Sequence, residues 1–154
     1  MIINPRRYRS LVFVCGGIGV TPMAAILEDR VRRAGESQSQ TTLIWTTRAP
    51  SEMKAFAYLF DAIAALPAEQ KARFDVRVFV TSGKENTADV EASASAIVDV
   101  RSGRPDFDAL VAECAGKTVG HVGVYVCGPN AMSDAAENAA VANKCLVHRE
   151  TFEF

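Results

Sequence analysis

The chain has 154 residues, 49% of them hydrophobic, which suits one domain with a buried core. Its formal net charge of -1 leaves no basic footprint for nucleic acid or an anionic membrane surface, and no apolar run approaches the ~18 residues that span a bilayer. The start, MIINPRRYRS, lacks the apolar stretch of a signal peptide, and the scattered Cys15, Cys114, Cys127 and Cys145 form no Cys-x-x-Cys pair, which argues for reduced thiols rather than a zinc site or redox dithiol.

In chain order, Leu11 to Cys15 (LVFVC) reads as a buried strand. Gly16, Gly17 and Gly19 follow at once, then Val20 and Thr21-Pro22. Glycine lets backbone N–H groups approach an anion without an intervening Cβ, and a helix N-terminus adds partial positive charge. Gly17-x-Gly19-x-x-Pro22 is therefore a relative of the dinucleotide fingerprint, with Thr21 expected to cap the helix and Pro22 to sit in its first turn. There is no Gly-Lys-Ser/Thr ending of a triphosphate loop. By itself the motif also fits a plain tight turn.

Met23, Ile26, Leu27 and Val31 continue at helical spacing until Gly35, and Thr41 to Thr47 (TTLIWTT) is a second strand. A helix from Ser51 carries Phe56, Leu59, Phe60 and Ile63 on one face and closes at Leu66-Pro67; Glu52, Lys54, Glu69 and Lys71 read as solvated helix faces. Phe74 to Thr81 is a third strand, and residues 82–103 read as a long, irregular surface insertion. Asp106 opens a helix with Phe107, Leu110, Val111 and Cys114 on one face. Val122 to Cys127 is a strand, Asn130 to Ala142 an alanine-rich helix, and Cys145 to Arg149 a last short strand before ETFEF.

Strands and helices alternate, which implies a parallel sheet covered on both faces, with ligands at the carboxyl ends of its strands. The sites should then follow Cys15, Thr47, Thr81 and Cys127. Cys127-Gly128-Pro129 is a second strand-to-helix turn: Pro129 stiffens it, Gly128 leaves room for a ring, and the Cys127 thiol offers a soft surface unless it is simply a small core residue. Dinucleotide domains that choose NAD place an acid near the end of the second strand. Here Arg48 stands there instead, and a guanidinium matches a 2′-phosphate, which points to NADPH; Arg104, in Gly103-Arg104-Pro105, is a second candidate. Trp45 reads as core, and His121 and His148 are far apart with no obvious carboxylate partner. The chain offers no acid–base set, which suits hydride transfer, where the cofactor carries the chemistry.

Taken together, Gly16–Pro22, Trp45 with Arg48, Gly103-Arg104-Pro105, Val126-Cys127-Gly128-Pro129 and the closing HRETFEF resemble the C-terminal NAD(P)H-binding domain of the ferredoxin reductase superfamily, in particular its ferric reductase and NADPH oxidase branch. The resemblance implies an α/β, Rossmann-like three-layer domain over 1–154 with a parallel sheet of about five strands. It implies a pyrophosphate on the glycine loop, Thr21 near the nicotinamide, Arg48 and Arg104 on the 2′-phosphate, and Cys127 close to the nicotinamide ring. Phe154 would shield a flavin until NADPH displaces it. It also implies that the chain is the C-terminal part of a longer protein, whose FAD-binding domain and haem-bearing membrane domain lie outside it, so that this domain works at the cytosolic face of a membrane. NADPH would pass hydride to FAD, and electrons would go through haem to ferric iron or dioxygen; the isolated domain would be inactive. A soluble flavoreductase and a non-catalytic nucleotide sensor are the alternative readings.

Overall fold

The computed structural model describes residues 7–81 and 97–150. Six strands form one all-parallel sheet: β1 (Ser10–Gly16), β2 (Gln40–Thr47), β3 (Phe74–Val80), β4 (Val98–Ser102), β5 (Val122–Cys127) and β6 (Leu146–Glu150). Their order is β4-β3-β2-β1-β5-β6. The helices are α1 (Val20–Arg32), α2 (Ala57–Ala64), the short α3 (Ala68–Lys71), α4 (Phe107–Gly116) and α5 (Asn130–Ala142).

The two faces of β1 explain the layers. Leu11, Phe13 and Cys15 point into a core with Met23 and Leu27 of α1 and Leu59, Phe60 and Ile63 of α2. Val12 and Val14 point the other way, against Leu110 and Val111 of α4 and Ala136, Ala139 and Ala140 of α5. A strand buried on both faces has no polar alternation, hence the continuous run LVFVC. The three alanines let α5 lie close to the sheet, as the composition of 130–142 predicts.

Two expectations need correction. The sheet has a sixth strand, β4, inside the segment read as an irregular insertion. Its exposed Asp99 and Arg101, paired across 2.9 Å, mask a strand whose Val98 and Val100 are half-buried at the sheet edge. Residues 82–96 of that segment lie outside the described residues. Thr21 does not cap α1: Gly19 holds the N-cap position without a side-chain hydrogen bond, and Thr21 falls within the first turn. Smaller shifts follow from local chemistry. Pro50 opens a 3₁₀ turn through Phe56 before α2 begins, and α1 ends at Arg32, before a short 3₁₀ turn that holds Gly35. Asp106 caps α4 by accepting the Ala109 N–H at 3.1 Å. The His148 ring meets the Tyr8 hydroxyl at 2.9 Å.

Tyr125 gives this core a pH signature. It is buried, stacked between Phe13 (5.6 Å) and the His148 ring (4.6 Å). Burial, helped by the neighbouring Tyr8, pushes its phenol up to about 12. An unfolded tyrosine ionises near ~10, so above that pH the unfolded chain releases a proton that the folded chain keeps. The stabilisation is complete below pH ~10 and is lost as pH rises toward ~12, a fall of roughly 2–3 kcal/mol. Urea unfolding from pH 9 upward should show this fall in the parent chain and a smaller one in Tyr125→Phe, where the buried thiols still contribute.

Candidate functional site

Chain order reverses between β1 and β5: after β1 the chain winds outward through β2, β3 and β4, then returns to place β5 on the other side of β1. A crevice opens at the carboxyl ends of strands at such a point. Cys15 pairs in register with Cys127, so both glycine turns leave the sheet side by side. Contact between them is close. A Cβ on Gly19 would stand 2.2 Å from the Cys127 carbonyl oxygen, and one on Gly128 would stand 2.9 Å from the Gly16 nitrogen. At Gly17 the backbone has φ +54, and a Cβ there would meet nothing within 4 Å. Gly19 and Gly128 are thus packing glycines, whereas Gly17 supplies backbone beside open space.

Side chains hold the turns in place. The Trp45 indole N–H donates to the Gly17 carbonyl at 3.0 Å, while its ring is fully buried edge-on to Phe56. Trp45 is core, as its sequence context suggests, and it also anchors the glycine loop. Trp45→Phe leaves the Gly17 carbonyl without that donor. We expect a loss of about 2 kcal/mol in urea unfolding, from the missing hydrogen bond and the smaller ring. The buried Ser133 hydroxyl donates to the Gly128 carbonyl at 3.1 Å and pins the second turn. Met132 lies over both turns: its Sδ would be 2.8 Å from a Cβ on Gly16, and its Cε 2.6 Å from one on Gly128.

A cleft of about 930 Å³ runs along the carboxyl edge from these turns. Of the residues singled out by sequence, Gly16, Gly17, Arg48, Arg104 and Pro129 line it. Gly19, Cys127 and Gly128 pack behind it. Val20 is buried, and Thr21 and Pro22 do not line the cleft. The Cys127 side chain is also buried, and desolvation, with the Glu150 charge, raises its thiol. As a soft exposed surface it is therefore corrected: the sulfur is a core atom. Phe154 lies outside the described residues.

The arginines reach the cleft for separate reasons. The Thr47 hydroxyl accepts the Ala49 N–H at 3.2 Å and donates to Glu52 Oε2 at 2.6 Å, closing the turn that carries Arg48. Gly103, at φ +93, donates its N–H to the Val80 carbonyl at 2.9 Å and turns the chain from β4 so that Arg104 follows at the same edge. Among the described residues neither arginine pairs with a carboxylate, whereas Arg33, Arg73, Arg77, Arg101 and Arg149 all do. Both guanidiniums therefore line the cleft without an ion-pair partner among the described residues. Sequence reasoning missed Glu52, which is not merely a solvated helix face: it lines the same cleft, and its bond to Thr47 crosses a strand–turn boundary that helical periodicity does not register.

Residues 8–141 match the family described as "Ferric reductase NAD binding domain". The chain belongs to this family. The ferric reductase NAD-binding domain is thus an NAD-binding domain of oxidoreductases. No curated protein sequence matches the domain. Among solved structures it is similar to a flavohemoglobin from Malassezia yamatoensis with bound FAD and heme, at 21% identity and a TM-score of 0.66, over 97% of this chain and 33% of that one. That likeness bears on the fold, and the domain spans a third of the flavohemoglobin's length. Among the described residues no helix is long and apolar enough to cross a membrane.

Proposed function

We propose that this chain is the NADPH-binding domain of a flavin-dependent transmembrane oxidoreductase of ferric reductase or NADPH oxidase type. The observation that carries the reading is the pair of unpaired arginines, Arg48 and Arg104, in the cleft that the glycine turns open. The residues fit a dinucleotide. Gly17 offers backbone to open space beside the N-terminus of α1, which suits a pyrophosphate. Arg48 and Arg104 suit a 2′-phosphate at the far end, and Glu52 beside them tempers that preference. The second turn presents Pro129 to the cleft on the nicotinamide side, with Gly128 and Cys127 packed behind it. Bound there, NADPH supplies a hydride to a flavin. The protein's part is to hold the cofactor in register and to shield the flavin with the terminal Phe154.

FAD would sit in a separate domain of the same longer protein, and haem in a membrane portion that passes electrons to ferric iron or dioxygen. This places the domain at the cytosolic face of a membrane. The short span of the chain relative to the FAD- and heme-bearing flavohemoglobin supports a multidomain parent. The same likeness favours a second reading, a flavoreductase without a membrane portion. The purified chain should bind NADPH yet reduce no ferric chelate; reduction without an added flavin domain would sink the proposal.

A further inference from the structure

At the opposite end of α1 from the glycine loop lies a second, smaller cavity of about 100 Å³. It sits at the amino edge of the sheet, between the last turn of α1, the start of β2 and the end of α3. Arg30 lines it and is only 8% exposed. Its Nε–H donates to the buried Thr41 hydroxyl at 2.7 Å. Its remaining N–H donors have no acceptor among the described residues. The neighbouring cations differ. Arg33 is bound to Asp29 at 3.1 Å, and Arg73 donates to the Ser37 carbonyl at 2.7 Å and to Glu69 at 3.3 Å. A buried guanidinium with most of its fork unmatched is costly unless an acceptor is supplied. Burial accordingly pulls its pKa down to about 10, although Asp29 opposes this.

We infer that this cavity is a binding site for a small organic monocarboxylate, held by the free fork of Arg30. The cavity is remote from the cofactor cleft, and the inference does not depend on the function proposed above. A planar carboxylate matches two parallel guanidinium N–H groups, and the Ser37–Ser39 segment brings further polar groups to the wall. Ala34 and Phe74 form apolar wall that suits a short aliphatic body. Asp29 and Glu36 at the cavity oppose a dianion such as phosphate. The space suits a few waters or a molecule of that size.

The test is an NMR titration of the 15N-labelled chain with sodium butyrate, with sodium phosphate and 1-butanol as parallel arms at matched ionic strength. Butyrate should give saturable shifts at the Arg30 Nε–H and the Thr41 and Ser39 amides, leaving Gly17 and Gly103 unmoved. Arg30→Lys, which keeps the charge but loses the fork, should weaken this binding by about tenfold. Absence of saturation, an equal response to phosphate or butanol, or shifts confined to Gly17 and Gly103 would overturn the inference. The wild-type arms decide it even if the variant fails to fold, and undiminished butyrate binding by a folded Arg30→Lys would also overturn it.

Discussion

Replacing Gly19 with alanine should destabilise the domain by about 3 kcal/mol and abolish dinucleotide binding with it. The added Cβ would stand 2.2 Å from the Cys127 carbonyl oxygen and 2.8 Å from its carbon. Both are backbone atoms at the end of β5, which lies between β1 and β6, so neither can step aside without moving β5 against β1. The strain falls on the junction where the two turns meet, which is why stability and binding should fail together. Gly116, at the end of α4, is the control: a Cβ there meets nothing within 4 Å. Gly116→Ala should be neutral or stabilise by up to ~1 kcal/mol, because alanine loses less backbone freedom on folding. Urea unfolding of the two variants side by side checks the claim, and equal midpoints would refute it.

Removing the cleft arginines should change cofactor choice more than stability. Each guanidinium is exposed and without an ion-pair partner among the described residues, so Arg48→Ala or Arg104→Ala breaks no side-chain hydrogen bond or ion pair among them. Loss of a charge-assisted hydrogen bond to a 2′-phosphate costs about 1.5–3 kcal/mol, and solvent exposure places these sites at the lower end. Each variant should bind NADPH about tenfold more weakly, and the double variant about a hundredfold if the two act independently. NADH affinity should move little, because NADH carries no 2′-phosphate. Glu52→Gln should act in the opposite sense, tightening NADPH by a few-fold as a nearby negative charge is removed. Calorimetric titration with both cofactors measures all of this.

Much of the fold can be read from periodicity. LVFVC, TTLIWTT and VGVYVC are apolar runs bounded by glycine, arginine or proline, and each forms a central or near-central strand of the sheet. β4 escapes because it is short, lies at the edge and carries Asp99 and Arg101. Gly16, Gly17, Arg48, Arg104 and Pro129 are legible as candidates that the structure brings to the cleft, because backbone access and fixed charge leave a mark in sequence. Side-chain direction leaves none. Cys127 ends its strand pointing into the core, Thr21 lands two positions past the N-cap of its helix, and Glu52 returns to Thr47 from a 3₁₀ turn. The only sequence signal for the Trp45 bond to Gly17 is a lone indole N–H near the end of a buried strand, where some acceptor must be found.

The most direct test of the central claim is thermal melting of the domain with NADPH and, separately, with NADH at equal concentration. A ligand at 100 times its dissociation constant stabilises by about 2.7 kcal/mol. The arginine cleft predicts that NADPH raises the melting temperature clearly more than NADH, and that the Arg48→Ala, Arg104→Ala double variant loses the difference. Equal protection by the two cofactors, or a difference that survives the double variant, would contradict it.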